Sequence, residues 1–173
     1  MRTSLRSTST RTFLGWPALV AVDQIRTRRP VHTSGIPLLV AGYLLYRSAG
    51  SFRSPRAGGP PGMSAGMPEQ LVVTGIYAWT RNPMYAGHVV FLTGLALTAR
   101  SPLATLVLAG HLPWFRARVA RDERRLRTRF GREYDDYCTA VPRWLPSPRP
   151  VCRGRRTCAR AACASRTRLA ECA

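Results

Sequence analysis

Two short stretches of this 173-residue chain collect residue types that bind small charged molecules. The first runs from Tyr77 through Arg81, Asn82 and Pro83 to Tyr85. Asn is a favoured helix cap and Pro a favoured first helical residue, so a helix is expected to start at Asn82–Pro83. Its free backbone N–H groups and partial positive charge, with Arg81 beside them, suit a carboxylate or phosphate. Tyr77 and Tyr85 offer ring surface for stacking. A plainer reading uses the same residues: arginine at a cytoplasmic helix end and tyrosine at headgroup level. The second stretch is "RARVARDERRLRTRF", where Asp122 and Glu123 are the only acids among seven arginines from Arg116 to Arg129. Arg118 precedes Asp122 by four residues and Arg127 follows Glu123 by four. Either these form helical ion pairs of roughly 0.2–0.5 kcal/mol each, or the acid pair meets a cationic or hydroxyl-bearing ligand. His88 and His111 add a third feature. They lie at similar distances from a turn between two apolar arms, which predicts a hydrogen-bonded pair. Two ligands do not make a metal site, and no metal is expected.

The elements that position these groups follow from the apolar pattern. Residues 84–115 contain one charged side chain, Arg100. Ser101 is a good cap and Pro102 a good first residue, so the stretch reads as a helical hairpin turning at Arg100 to Pro102. Each arm reaches roughly 20–24 Å, enough to cross a thin bilayer or dip into one. Glycines 87, 94 and 110 would admit close helix approach. Upstream, "FLGWPALVAV" reads as a partial first span or a surface segment. Gly35 to Tyr46 reads as a second span or a buried helix, with Arg47 snorkelling. Residues 51–70 are rich in Gly, Pro and Ser and are expected to form a loop. After the hairpin come a separate charged helix stopped by Gly131, a short helix ending before Pro142, and Trp144 as an interfacial anchor. Residues 147–173 are Arg, Ala and Cys without apolar period and read as disordered.

The 27 cations are all arginine against 8 acids, giving a net charge of +19. Arginine pairs with phosphate and carboxylate alike, so charge admits lipid headgroups, nucleic acid and anionic cofactors. The apolar hairpin argues against a soluble nucleic-acid binder. Five cysteines form no CxxC pair, which excludes a zinc or redox motif of that kind.

"LVVTGIYAWTRNPMYAG", followed after a hairpin by "DERRLRTRFGREYDDYCTAVPRWLP", resembles the two motifs of the isoprenylcysteine carboxyl methyltransferase family and its bacterial and phospholipid methyltransferase relatives. The resemblance covers residues 35–146. It implies an all-α, multi-pass membrane enzyme whose helical hairpin is joined to a C-terminal cytosolic helical cap over a site for S-adenosylmethionine. The acceptor would be lipophilic: an isoprenylcysteine-like carboxylate, a phospholipid amine or another small nucleophile. By position, Leu71 and Val72 would line the adenosine pocket with Tyr77 beside it. Arg81, Asn82, Pro83, Met84 and Tyr85 would hold the cofactor's anionic end. Asp122 and Glu123 would hold its polar groups, with Arg118 and Glu123 at the reacting centre. The prenylcysteine enzymes carry histidine where this chain has Asn82, which counts against that substrate, and Asp122 replaces the usual glutamate. The implied organisation is a basic segment (1–34), a membrane methyltransferase domain (35–146) and a tail (147–173). The non-enzymatic alternative is a basic membrane protein that binds anionic lipid.

Overall fold

The hairpin turn forms where its local signals lie. Helix α4 (Pro83–Ala99) stops at Arg100, which takes a left-handed φ of 45°. Ser101 then caps α5 (Pro102–Phe130), its Oγ accepting from the Leu103 N–H at 3.1 Å. The structure, a computed structural model, describes residues 7–58 and 68–144, and among these every regular element is helical. The expected tail at 147–173 and part of the expected loop at 51–70 lie outside the described residues.

Before the hairpin, α1 (Thr8–Thr10), a π-helical turn (Arg11–Gly15) and α2 (Trp16–Thr27) follow one another directly. α3 (Ile36–Ala57) follows a 3-10 turn, and α6 (Arg132–Ala140) follows Gly131, whose φ of 53° breaks the helix as its lack of a Cβ permits. Two expected boundaries do not occur. α3 runs on through Pro55 to Ala57, so the first part of the expected loop is helix. Packing accounts for this: Phe52 and Ala57 pack with Val72, Tyr77 and Met84, and the Ala57 carbonyl accepts from the Glu69 and Gln70 N–H groups. α5 likewise continues through Pro113, so the second arm and the charged helix are one rod of 29 residues, about 44 Å long. No helix of the described residues is long and apolar enough to cross a membrane.

The closest helix pair is α3 with α4, not the two arms of the hairpin. A Cβ on Gly87 would stand 2.8 Å from the Gly42 carbonyl oxygen, and one on Gly94 would stand 2.9 Å from that of Gly35. Gly35, at the N-cap of α3, and Gly42 face α4 backbone in return, so glycines seven residues apart meet from both sides. Gly110, expected to share this role, has nothing within 4 Å among the described residues. α2 crosses the hairpin turn: Gln24 Nε2 donates to the Ala99 carbonyl at 2.8 Å, and Ser101 Oγ donates to Asp23 Oδ2 at 2.8 Å. Val20, Leu92, Leu95, Ala104, Val107 and Phe115 form the core between these helices.

Candidate cofactor pocket

Local signals place the two halves of the site, and the hairpin brings them together. Gly75–Ala78 forms a 3-10 turn that leads through Arg81 into α4, while Asp122 and Glu123 lie two-thirds of the way along α5. Between them is a small pocket of about 80 Å³, partly open to solvent. Leu71, Val72, Tyr77 and Arg81 line it on one side. Asn82, Pro83, Met84 and Tyr85 line the start of α4, and Asp122 and Glu123 face them. Arg118 stands outside the lining and reaches the site through Asp122, Nε to Oδ2 at 3.8 Å.

The two acids do different work. Glu123 is 5% exposed and fully engaged. Arg143 clamps it from Nε at 3.1 Å and Nη2 at 2.5 Å, Arg81 lies at 3.7 Å, and Asn82 Nδ2 donates at 3.4 Å. Asp122 is equally buried, yet only one oxygen is engaged: Oδ2 accepts from the Tyr85 hydroxyl at 2.6 Å, while Oδ1 has no partner among the described residues. A buried carboxylate oxygen without a donor is costly, and here it borders a pocket.

Several expectations are corrected by this geometry. Asn82 occupies the cap position of α4, but its side chain makes no cap; it donates to Glu123 and to the Arg143 carbonyl at 3.2 Å. The buried carboxylate draws the carboxamide away from the helix end. Arg81 lines the pocket, and its guanidinium also meets Glu123 and the Cys138 sulfur. Glu123 does not pair with Arg127, which instead meets Asp135 at 2.6 Å on the surface. The Arg118–Asp122 pair does form. The two histidines do not bond each other: His111 Nε2 accepts from Trp16 Nε1 at 3.1 Å, and both imidazoles flank Phe115.

Residues 141–144 form a strap over the site. The Arg81 N–H donates to the Pro142 carbonyl at 3.0 Å, and Thr80 Oγ1 donates to the carbonyls of Arg143 and Trp144 at 3.2 and 3.1 Å. Sequence reasoning left several further contributors unassigned. Tyr134 and Tyr137 line the pocket, and their three-residue spacing on α6 was the available signal. Arg53 also lines it, from a segment read as loop, and Arg143 reaches it from the strap. Tyr137 donates to the Tyr77 carbonyl at 2.7 Å, and Tyr77 donates to the Ala49 carbonyl at 3.4 Å. Burial pushes the Tyr77 phenol up to about 12, with the Arg53 charge pulling weakly the other way, and burial also raises Tyr134 and Tyr137. A phenol raised in the folded state adds stability that is complete below its ordinary value of 10.0 and is lost as pH rises through about 12. Alkaline unfolding should therefore steepen between these values, and Tyr77→Phe should flatten that window in a pH series of thermal melts. An unchanged slope would remove Tyr77 from the account.

A family model described as phospholipid methyltransferase matches residues 32–133, more than half of the chain. The chain belongs to the phospholipid methyltransferase family. The matched residues hold both arms of the hairpin and every pocket residue expected from sequence. Among relatives, the protein-S-isoprenylcysteine O-methyltransferase of Mus musculus is 38% identical over 77 residues, which is 44% of this chain and 27% of that protein. A probable protein-S-isoprenylcysteine O-methyltransferase of Oryza sativa subsp. japonica is 33% identical over 78 residues, 44% of this chain and 41% of that protein. The Delta(14)-sterol reductase of Mus musculus is 31% identical over 117 residues, 61% of this chain and 28% of that protein. This phospholipid methyltransferase family member thus spans about a quarter of the mouse methyltransferase it matches.

Proposed function

We propose that the chain is an S-adenosylmethionine-dependent methyltransferase, with residues 35–146 as its catalytic domain, acting on a lipophilic acceptor at a membrane surface. The observation that carries this is Asp122 Oδ1, a buried, donor-less carboxylate oxygen at the edge of a pocket shared by the two motifs. S-adenosylmethionine, when bound, supplies a methyl group on a sulfonium. Asp122 accepts from an N–H or O–H group of the ligand, held in place by Tyr85 and Arg118. The N-terminus of α4 favours a carboxylate. Glu123 fixes Arg81, Asn82 and the strap, and so shapes the pocket rather than binding within it. Leu71 and Val72 supply apolar wall for a nucleoside. Catalysis in such a site is positioning and electrostatics.

Membrane contact is supported by large apolar side chains left exposed on several helices, among them Leu14 (62%), Ile25 (77%) and Leu106 (69%). We place the pocket on the cytosolic side, beside the arginine-rich half of α5.

Calorimetry with S-adenosylmethionine on detergent-purified protein tests the reading. Binding should be measurable, and Asp122→Asn should weaken it about 10- to 150-fold, the loss expected for a charged hydrogen bond of roughly 1.5–3 kcal/mol. Asn82→Ala should weaken it less, and exposed Arg132→Ala less than about threefold. No binding to the unsubstituted protein would remove the assignment. A second reading, sterol reduction, rests on the longer match to the sterol reductase: sterol binding without S-adenosylmethionine binding would favour it.

A further inference from the structure

The last turns of α3 reach the pocket because the helix continues past Tyr46 to Ala57, and neighbouring elements seat them there. The Ala49 carbonyl accepts from the Tyr77 hydroxyl at 3.4 Å. A Cβ on Gly50 would stand 3.7 Å from the Met84 methyl carbon. The Phe52 ring fills the space that a Cβ on Gly75 would need. Arg53 lies one turn beyond Ala49 and three residues beyond Gly50, so it shares their face of the helix. Its half-buried side chain lines the pocket with Tyr77, and its charge is felt by the Tyr77 phenol. Arg53 belongs to neither of the two motifs at 71–87 and 122–146.

The charge around the pocket favours an anion. Each acid of the lining is met by an arginine other than Arg53: Asp122 by Arg118, and Glu123 by Arg81 and Arg143. With Arg53 in the lining, four arginines stand against these two carboxylates, a surplus that draws an anionic group in. Asp122 Oδ1 makes the opposite demand. It is buried, borders the same pocket and has no donor among the described residues. A ligand that meets both demands is anionic at one point and carries an N–H or O–H donor at another.

We propose that Arg53 binds the carboxylate at the amino-acid end of the methyl donor, and so selects donors that carry one. The assignment rests on the methyltransferase reading. Gly50 brings this end of α3 against Met84, in the first turn of α4, so the guanidinium acts on the same anion as the free N–H groups of that turn. Arginine suits the task because its fork of N–H donors matches the two oxygens of a carboxylate.

The test is calorimetry on detergent-purified full-length protein with two ligands, S-adenosylmethionine and its decarboxylated analogue, which keeps the nucleoside, the sulfonium and the amine. Arg53→Gln should weaken S-adenosylmethionine at least about tenfold, the lower end for a hydrogen bond between charged groups. It should change the affinity of the analogue by less than about threefold, because the analogue has no carboxylate to lose. Arg53→Lys keeps the charge without the fork. It should weaken S-adenosylmethionine by a smaller factor, again spare the analogue, and serves if the glutamine variant fails to fold. Arg56→Gln is the control. That guanidinium is exposed, stacks on the Phe52 ring and donates to the Phe52 carbonyl at 2.9 Å, so its loss should leave both affinities within about threefold. Equal losses for the two ligands would show that Arg53 only supports the pocket wall, and an unchanged affinity for S-adenosylmethionine would show that it does not meet the donor; either result overturns the assignment and leaves the methyltransferase reading standing. No heat from either ligand with the unsubstituted protein would end both.

Discussion

Glu123→Ala should lower stability by about 3–5 kcal/mol, the cost of removing one partner from a buried ion pair. The reason lies in what the carboxylate holds. Arg81, whose side chain is 12% exposed, would keep its charge in the interior with no carboxylate beside it among the described residues, held by the Cys138 sulfur. Arg143 would lose both of its contacts, and Asn82 one of two. The strap at 141–144 would then hang on the Arg81 N–H, Thr80 and the Asn82 carboxamide. Trypsin reads this directly, because its cut after Arg143 needs a loose strap. Cleavage there should accelerate more than tenfold, in step with a lower melting temperature. Arg143→Gln, which removes a half-exposed partner and leaves Arg81 paired, should cost far less. Equal cleavage rates in wild type and Glu123→Ala would show that the strap does not depend on this carboxylate.

Gly42→Leu should cost at least the upper part of the roughly 1–3 kcal/mol typical of overpacking. A Cβ at Gly42 meets α4 backbone, 2.7 Å from the Gly87 carbonyl oxygen and 2.8 Å from the Phe91 Cα. Backbone cannot change rotamer, so α3 and α4 must separate along their length. Gly110→Leu, with open space around it, is the matched control and should be near neutral. Thermal melts of the two variants decide the matter: similar shifts would mean that the helices part easily.

What could be read in advance was what the chain encodes locally. Ser101 and Pro102 fix the hairpin turn through adjacent atoms, and Gly131 ends α5 by its own backbone freedom. The acid pair and the Arg-Asn-Pro turn were found as residue types, and the hairpin fixed their meeting. Distant packing overruled the local signals elsewhere. Pro55 marks a break, yet Phe52 and Ala57 hold α3 together around it. Local spacing pairs Glu123 with Arg127, but the buried carboxylate meets the buried Arg81 and the half-exposed Arg143, 42 and 20 residues away in the sequence. Arg53 gave no signal, since its place in the pocket depends on α3 continuing past Tyr46.

The crossing of α2 over the hairpin turn bears on how such a protein can be divided or recombined. The family match begins at residue 32, yet the carbonyl of Ala99 is satisfied by Gln24 and the hydroxyl of Ser101 by Asp23. At the other end the match stops at 133, before the strap that clamps Glu123. A graft carrying the matched segment alone into another scaffold would bring along a bare hairpin tip and an unclamped acid. The matched segment is therefore shorter than the set of contacts that closes the hairpin tip and the acid, and a transplant that preserves them must also take α2 and the strap.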